Sequence, residues 1–316
     1  MEWTAEGDDV GLRLDKFLAA PGRLGSRARA VAALERGKVN VNGNEAAVTD
    51  AGRRLAAGDV VRLWMDRPGS AKRRPRSGPT GDLDIVFEDD DLLVVNKPAG
   101  ILSVPLERKP DVPSIHERIE DRFRSHGKRR PLIVHRIDQD TSGLVLFAKH
   151  AQAQQSLRGQ FARREPERVY LAVVYGRPDP PAGTWRDTLV WDTTALIQKV
   201  AHARDVQGIE AVSEYILVEP FRDAALIEVR LRTGRRNQVR IQAGLRGHPL
   251  VGEERYVYGP VARRQIPFGR QALHAYRLAC EHPGDGHTLR FEAPLPGDFR
   301  ELLARLRRTA GSESRR

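Results

Sequence analysis

Apolar residues in the first part of the chain recur at two different periods. Leu14, Phe17 and Leu18 fall at helical intervals within residues 13–20, RLDKFLAA, the spacing of one buried helix face. Ser26 stands where it can cap a second helix, RARAVAALERG, which Gly37 ends. KVNVNG then alternates strictly, with Val39 and Val41 inward, up to an Asn42-Gly43 hairpin pair. A further strand is predicted over residues 59–64, after Gly58. From about residue 82 strands dominate. Residues 92–95 form a buried strand, and Pro98-Ala99-Gly100 a turn. A helix over 111–126 carries Ile115, Ile119 and Phe123 on one face, and strands follow at 132–134, 143–148 and 169–175. Ile227, Val229 and Leu231 alternate with Glu228, Arg230 and Arg232, as in a half-exposed antiparallel strand. Helices are predicted near residues 237–245 and over FRELLARLRR. Strands and helices interleave irregularly, so the expected class is α+β.

With 316 residues, two domains are expected. Residues 1–66 balance ten basic against ten acidic side chains. Residues 67–81, RPGSAKRRPRSGPTG, hold five basic residues and no acidic one among prolines and glycines, a basic flexible linker. The second domain is expected over 82–308 and a frayed tail over 309–316. Cys280 is the single cysteine, which excludes an intrachain disulfide framework and a cysteine zinc cluster and points to a reducing, cytoplasmic setting. The N-terminus carries no secretory pattern. The apolar runs are of strand length, and a membrane span needs about 18 residues. No heptad run is present, so a monomer is expected. The net charge of +11 and pI of about 10.2 imply an anionic partner, RNA or DNA, or else a basic proteome.

The densest polar stretch is His135-Arg136-Ile137-Asp138-Gln139-Asp140-Thr141-Ser142-Gly143, between two apolar strands. Four readings compete. His135, Asp138 and Asp140 offer metal ligands, but without a recognised metal-binding loop. A kinase-type HRD loop lacks its Asn and its glycine-rich partner. Asp and Thr can simply cap a turn. Finally, Asp138 can be an acid, base or nucleophile held by an arginine.

The last reading gains from a resemblance. HRIDQDTSGLVLFAK resembles the HRLDxxTSGLLLFAK signature of the RluA family of RNA pseudouridine synthases. DLLVVNKPAG, RVYLAVVYG, LRTGRRNQVR with GHPLVGEERYVYG, LHAYRLACEHP and LRFEAPLPGDF resemble further family motifs in order, over about 82–308. The resemblance implies a catalytic domain with a mixed, mainly antiparallel sheet flanked by helices. It also implies isomerisation of uridine to pseudouridine in RNA without a cofactor or metal. Asp138 aligns with the catalytic aspartate, Arg136 with the arginine that fills the space of the flipped nucleotide, Tyr170 with the tyrosine against the base, and Arg240 with the basic residue that pairs with the aspartate. His135 is expected to be a hydrogen-bonded support, and Lys97 to position the loop or a phosphate. Arg236 and Arg240 lie four residues apart, so one of them is expected to face solvent.

The N-terminal order of helix, helix, strand and Asn-Gly turn resembles the S-four type RNA-binding domain. That implies an RNA face made of Arg13, Lys16, Arg27, Arg29 and Lys38. Three features depart from the family: Asn237 replaces a histidine, Ile137 replaces a leucine, and residues 191–207 match poorly. Large-subunit ribosomal RNA is the expected substrate and transfer RNA the alternative. A catalytically silent ribosome-assembly factor and a DNA-binding regulator are the competing functions.

Overall fold

The computed structural model describes residues 1–35, 37–63, 83–106, 112–125, 130–192, 197–201, 208–258 and 265–311. The linker expected at 67–81 lies outside them, as do 193–196 and 202–207 of the poorly matching segment. The chain divides into two compact units, Met1–Arg76 and Ser77–Arg316.

In the first unit β1 (Glu2–Thr4) is followed by α1 (Leu14–Leu18), α2 (Arg27–Glu35), β2 (Val39–Val41), β3 (Asn44–Glu45) and β4 (Val60–Leu63). The strands form an antiparallel sheet in the order β1-β4-β2-β3. Leu14, Phe17 and Leu18 of α1 meet Ala30, Ala33 and Leu34 of α2 and the sheet's Val39, Val41, Val61 and Leu63 in one core. Ser26 accepts the Arg29 amide at 3.2 Å and so caps α2. Asn42 and Gly43 both take positive φ, 53° and 82°, as the tight two-residue turn between β2 and β3 requires. Asn42 also bonds Asp59 at 2.7 Å and accepts the Val60 amide at 2.8 Å, tying that turn to β4.

The second unit begins with β5 (Ile85–Glu88), β6 (Leu92–Lys97), α3 (Ile115–Ser125), β7 (Leu132–Ile133), β8 (Ser142–Ala148) and α4 (Ala151–Arg163). It continues with β9 (Glu167–Tyr175), β10 (Ala182–Asp192), β11 (Ile197–Val200), β12 (Ile209–Pro220) and β13 (Ala224–Leu231). It ends with α5 (Gln238–Leu245), β14 (Leu273–Glu281), β15 (Thr288–Glu292) and α6 (Gly297–Gly311). Its 11 described strands make one mixed sheet in the order β11-β10-β12-β13-β9-β14-β8-β6-β5, with β15 beside β14 and β7 beside β8. Among the described strands, only the β14–β8 pairing is parallel. The class is therefore α+β, as expected. The last helix runs three residues past the expected domain end at 308.

Helices cover both faces, which explains the continuous apolar runs. Leu92, Val94, Leu144 and Leu146 pack with Ala153 and Leu157 of α4. Their strand neighbours Leu93, Val95, Val145 and Phe147 pack with Ile115, Ile119 and Phe123 of α3. Alternate residues point to opposite faces, so a strand buried on both sides cannot show polar alternation. Further along, Val229 and Leu231 meet Val239 and Ala243 of α5, and Val173 and Leu226 meet Phe299, Leu302 and Leu306 of α6.

Candidate active site

The loop from His135 to Thr141 leaves β7 and enters β8, where β8 meets β14 in parallel. Gly143 sits at that junction with φ of 112°, and a Cβ there would stand 2.2 Å from the Ala275 carbonyl oxygen. Only glycine combines that conformation with such close backbone approach. The loop is fastened from several directions. Ile137 donates its amide to Ser103 Oγ at 3.0 Å, and Ser103 Oγ donates to the Ile137 carbonyl at 2.7 Å. Lys97, fully buried, donates to the carbonyls of Pro98, Ile101 and Gln139 at 2.8–2.9 Å. Burial brings its pKa down to about 7 against the pull of Asp140 and Asp138. Arg270 donates to the Asp140 carbonyl at 3.0 Å and pairs with Asp298. His274, buried, bonds Ser142 Oγ at 2.9 Å and the Ala293 carbonyl at 3.1 Å. Lys97 is thus a loop-positioning residue, one of the two roles expected for it.

His135 accepts the Leu146 amide at Nε2, 3.0 Å, and stacks on Phe161 with centroids 4.8 Å apart. Burial, aided by the Arg168 charge, pulls its pKa down to about 3, so the ring is neutral. That is the supporting role expected of it. The ligand atoms of His135, Asp138 and Asp140 do not lie within 4.8 Å of one another.

Arg240 projects from α5, which a buried polar network docks on β10 and β12. Gln238 takes the Thr233 hydroxyl at 2.8 Å and donates to the Val212 carbonyl at 3.0 Å, while Gln242 bonds Ser213 and Asp187. The Arg240 guanidinium is shared between two carboxylates. Its Nε and Nη2 donate to Glu253 at 2.6 and 2.9 Å. Its Nη1 reaches Asn237 Oδ1 at 3.2 Å and Asp138 Oδ2 at 3.5 Å. The first pair is a bidentate charge-assisted bond; the second is long enough to act mainly through charge. Glu253 has no exposed side-chain surface. Burial works to raise its pKa, but Arg240 and the amides of Arg255 and Tyr256 outweigh that and hold it low. Asp138 goes the other way. Burial pushes its pKa above the usual carboxylate range, and the charges of Arg240, Arg136 and Arg236 only partly offset it.

Asn237 accounts for its own departure from the family pattern. It adopts φ 55° and ψ 21° just ahead of α5, a left-handed conformation that asparagine tolerates. Its amide nitrogen donates to Tyr256 Oη at 2.8 Å while its oxygen takes Arg240. The Arg240 guanidinium also lies 5.2 Å from the Tyr256 ring centroid.

A cavity of about 290 Å³ is lined by Arg136, Asp138, Tyr170, Leu231, Arg236 and Leu273, among others. Arg240 borders Asp138 in an adjoining cleft. Burial, with Asp138 adding to it and Arg168 opposing it, pushes the Tyr170 hydroxyl up to about 12, so it stays neutral. Arg136 is exposed at the mouth. Arg236 faces solvent and Arg240 is the inward one of the pair. The structure thus brings Asp138, Arg136 and Tyr170 to one pocket of mixed polar and apolar lining, with Arg240 at the acid from the adjoining cleft. Glu253 and His274 lie within the motifs GHPLVGEERYVYG and LHAYRLACEHP without a local signal that marks them, and Ser103 and Arg270 lie outside every motif.

In the first unit, Arg13 and Arg27 both bond the buried Asp15, at 3.1 and 2.9 Å. These pairs, outweighing the effect of burial, hold its pKa low. Lys16 and Arg29 are exposed and Lys38 half-buried.

The family model for RNA pseudouridylate synthase matches residues 91–244. An RNA pseudouridine synthase of Bacillus subtilis (strain 168), named as uncharacterized, is 37% identical over 96% of this chain and 97% of its own length. A ribosomal large subunit pseudouridine synthase D of Zymomonas mobilis is 36% identical, covering 94% of each chain. Among solved structures, human RNA pseudouridylate synthase domain containing 4 shares the fold, with TM-score 0.58 and 21% identity over 71% of this chain and 93% of that one. The family match and relatives alike over nearly the whole chain give one assignment: the chain belongs to the RluA-type RNA pseudouridine synthases, isomerases of uridine in RNA.

Proposed function

We propose that this enzyme isomerises uridines of large-subunit ribosomal RNA, with Asp138 as the catalytic residue. The observation that carries the site assignment is Asp138 itself, held 3.5 Å from Arg240 in the cavity that Tyr170 lines. The RNA class rests on relatives that match nearly the whole chain and are named for the large ribosomal subunit.

The reaction breaks the bond from the sugar to uracil nitrogen 1 and forms one to carbon 5; carbon 5 loses a proton and nitrogen 1 gains one. A uridine within RNA structure must be extruded to reach the half-buried Asp138 carboxylate, at a cost of a few kcal/mol. Arg136, exposed at the mouth, fills the vacated space. Tyr170 offers a neutral ring face, a type of contact that contributes about 1–3 kcal/mol per base. Arg240 favours the ionised form of Asp138 against the burial that raises its pKa. The walls of the cavity retain the detached uracil.

Residues 1–66 serve as an S-four type RNA-binding domain and 82–308 as the catalytic domain of a monomeric, cytoplasmic enzyme. The two-helix order and the capped, Asn-Gly-turned sheet support the first assignment. Lys16, Arg29 and Lys38 carry its RNA face, with Arg13 and Arg27 partly neutralised by Asp15. Deleting residues 1–81 is expected to weaken RNA affinity and flatten its salt dependence; an unchanged slope rejects that role.

The deciding experiment uses unmodified RNA carrying tritium at uridine carbon 5. Release from large-subunit ribosomal RNA, and not from transfer RNA, supports the proposal. Release from transfer RNA alone reassigns the substrate, and release from neither rejects the activity on both.

A further inference from the structure

Next to the Asp138 cavity lies a second cleft of about 460 Å³, walled by Arg136, Arg158, Arg164, Arg168 and Arg235 with Phe161 at its side. No carboxylate lines it. The cleft on the other side of Asp138 differs: there Asp138, Asp140, Glu253 and Glu254 balance the arginines. The excess of positive charge is therefore local and not a general property of a basic chain.

Arg168 is the telling member. It stands on β9, two residues before Tyr170, and its Nε is buried without a hydrogen-bond partner. Its guanidinium lies 5.6 Å from the Phe161 ring centroid and pairs with no acid among the described residues. Burying a guanidinium donor unmatched is unfavourable, and native structures rarely leave one so. Gly234 leaves space beside it: a Cβ there would stand 2.3 Å from Arg168 Nη1, and the guanidinium would have to shift. Arg158 extends from the exposed face of α4 with no acid partner among the described residues. Arg164 and Arg235 are each tied to Glu210, by a 3.7 Å pair and by its carbonyl at 2.9 Å.

We infer that this cleft is a phosphate site, and that it holds the phosphodiester next to the flipped uridine, with Arg168 as its fixed donor and Arg158 as its mobile one. The inference rests on the isomerase reading above. Position follows from the shared walls: Arg136, Tyr170, Leu231, Gly234 and Arg235 line both this cleft and the Asp138 cavity. A nucleotide with its base against Tyr170 must send its backbone past one of the cavity's edges, and this edge is the one without carboxylates. The planar fork of an arginine suits a phosphate's oxygens, and its unmet Nε–H gains an acceptor. Phosphate contacts set register and not sequence, so Arg168 is a positioning residue.

The test measures binding and turnover separately, with unmodified large-subunit ribosomal RNA and the full chain. Arg168→Gln is expected to raise KM about tenfold to a hundredfold with kcat within about threefold. It should also lower the slope of log affinity against log salt by about 0.7–0.9, the value of one phosphate contact. Arg168→Lys should restore the slope while recovering only part of KM. Arg158→Ala, at an exposed position where folding is not at stake, should lower the slope by a similar step, and Arg290→Ala on β15, away from the cleft, should leave it unchanged. The inference is overturned if neither Arg168→Gln nor Arg158→Ala changes the slope, if Arg290→Ala changes it as much, or if Arg168→Gln lowers kcat with KM intact. Slope is read from binding alone, so the two readings separate. Tritium release with unaltered slopes rejects only the phosphate site, and altered slopes without release reject only the isomerase assignment.

Discussion

Two arginine–carboxylate clusters use the same chemical groups to opposite effect. In the N-terminal unit one buried carboxylate, Asp15, is shared by two arginines whose side chains are 45% and 56% exposed. In the catalytic unit one arginine, Arg240, only 14% exposed, is shared by two carboxylates, Glu253 and Asp138. Water screens the first pair of charges, so their pairing contributes little and leaves the guanidiniums able to exchange partners. The second cluster is dry enough that its charges act strongly on each other. Glu253 takes the close bidentate bond and is held ionised. Asp138 receives the remainder of the guanidinium's charge and stays raised. A raised but ionisable aspartate suits acid–base or nucleophilic work near neutral pH.

The most severe way to break the catalytic cluster is Asp138→Asn. Tritium release should fall by at least about a thousandfold, the scale seen for lost catalytic groups, while RNA affinity is retained. Stability should not fall with it. The folded-state pKa of Asp138 is above its ordinary value, so its ionised form weakens the fold once pH rises through that pKa, and this weakening is absent below the unfolded value. Melting temperatures should show the variant no less stable than the parent at pH 7; clear destabilisation contradicts the assigned direction.

Glu253→Gln sharpens the comparison by freeing Arg240. The full guanidinium charge then acts on Asp138, so the acid limb of the pH–rate profile should move to lower pH. With its bidentate anchor lost, kcat should also drop by roughly tenfold to a hundredfold. A limb moving to higher pH would show that Glu253 does not compete for Arg240.

Lys97 provides a contrast within the same unit, a cation held by carbonyls instead of carboxylates. Lys97→Met leaves three carbonyls, that of Ile101 buried, without their donor and should cost about 2–4 kcal/mol. Its pKa in the fold, about 7, lies below its ordinary 10.5, so the folded state binds fewer protons between those values. Stability of the parent should therefore rise with pH across that window. Denaturant titrations at pH 7 and 9.5 should show this rise in the parent and its loss in the variant.

The smallest effect is expected at the exposed cluster. Arg27→Ala should weaken RNA binding about twofold to fivefold at low salt and leave kcat and melting temperature nearly unchanged. A loss of several degrees in melting temperature would mean that Asp15 depends on both arginines to stay buried.

Local pattern made much of this protein readable. Helical spacing placed α1 and α3, the Ser26 cap and Gly37 stop placed α2, the Asn42-Gly43 pair placed a hairpin, and the polar loop between two apolar strands marked Asp138. These features depend on neighbours a few residues away, where backbone periodicity operates. The opposite exposure of Arg236 and Arg240 was not legible in their four-residue offset, which on one helix puts both on the same face; Arg236 lies ahead of α5 and Arg240 within it. The run from β10 to β12 was not legible. Trp185 and Leu189 are buried among exposed Thr184, Arg186 and half-buried Asp187, a strand defined by its partners more than by its own composition.

The sequence by itself determined the fold class, the family and the polar loop on which Asp138 stands. Only the tertiary structure decided how that loop is held and charged. Ser103, Arg270 and His274 reach it across 34, 130 and 132 residues, and Arg240 reaches Asp138 across 102. Glu253, which takes most of that arginine's charge, is near it only because α5 docks on the sheet and the chain turns back beyond it. Hydrophobic period reports which face of an element is buried, whereas a pKa depends on which charges meet inside and how much water remains, and that is settled when the elements pack.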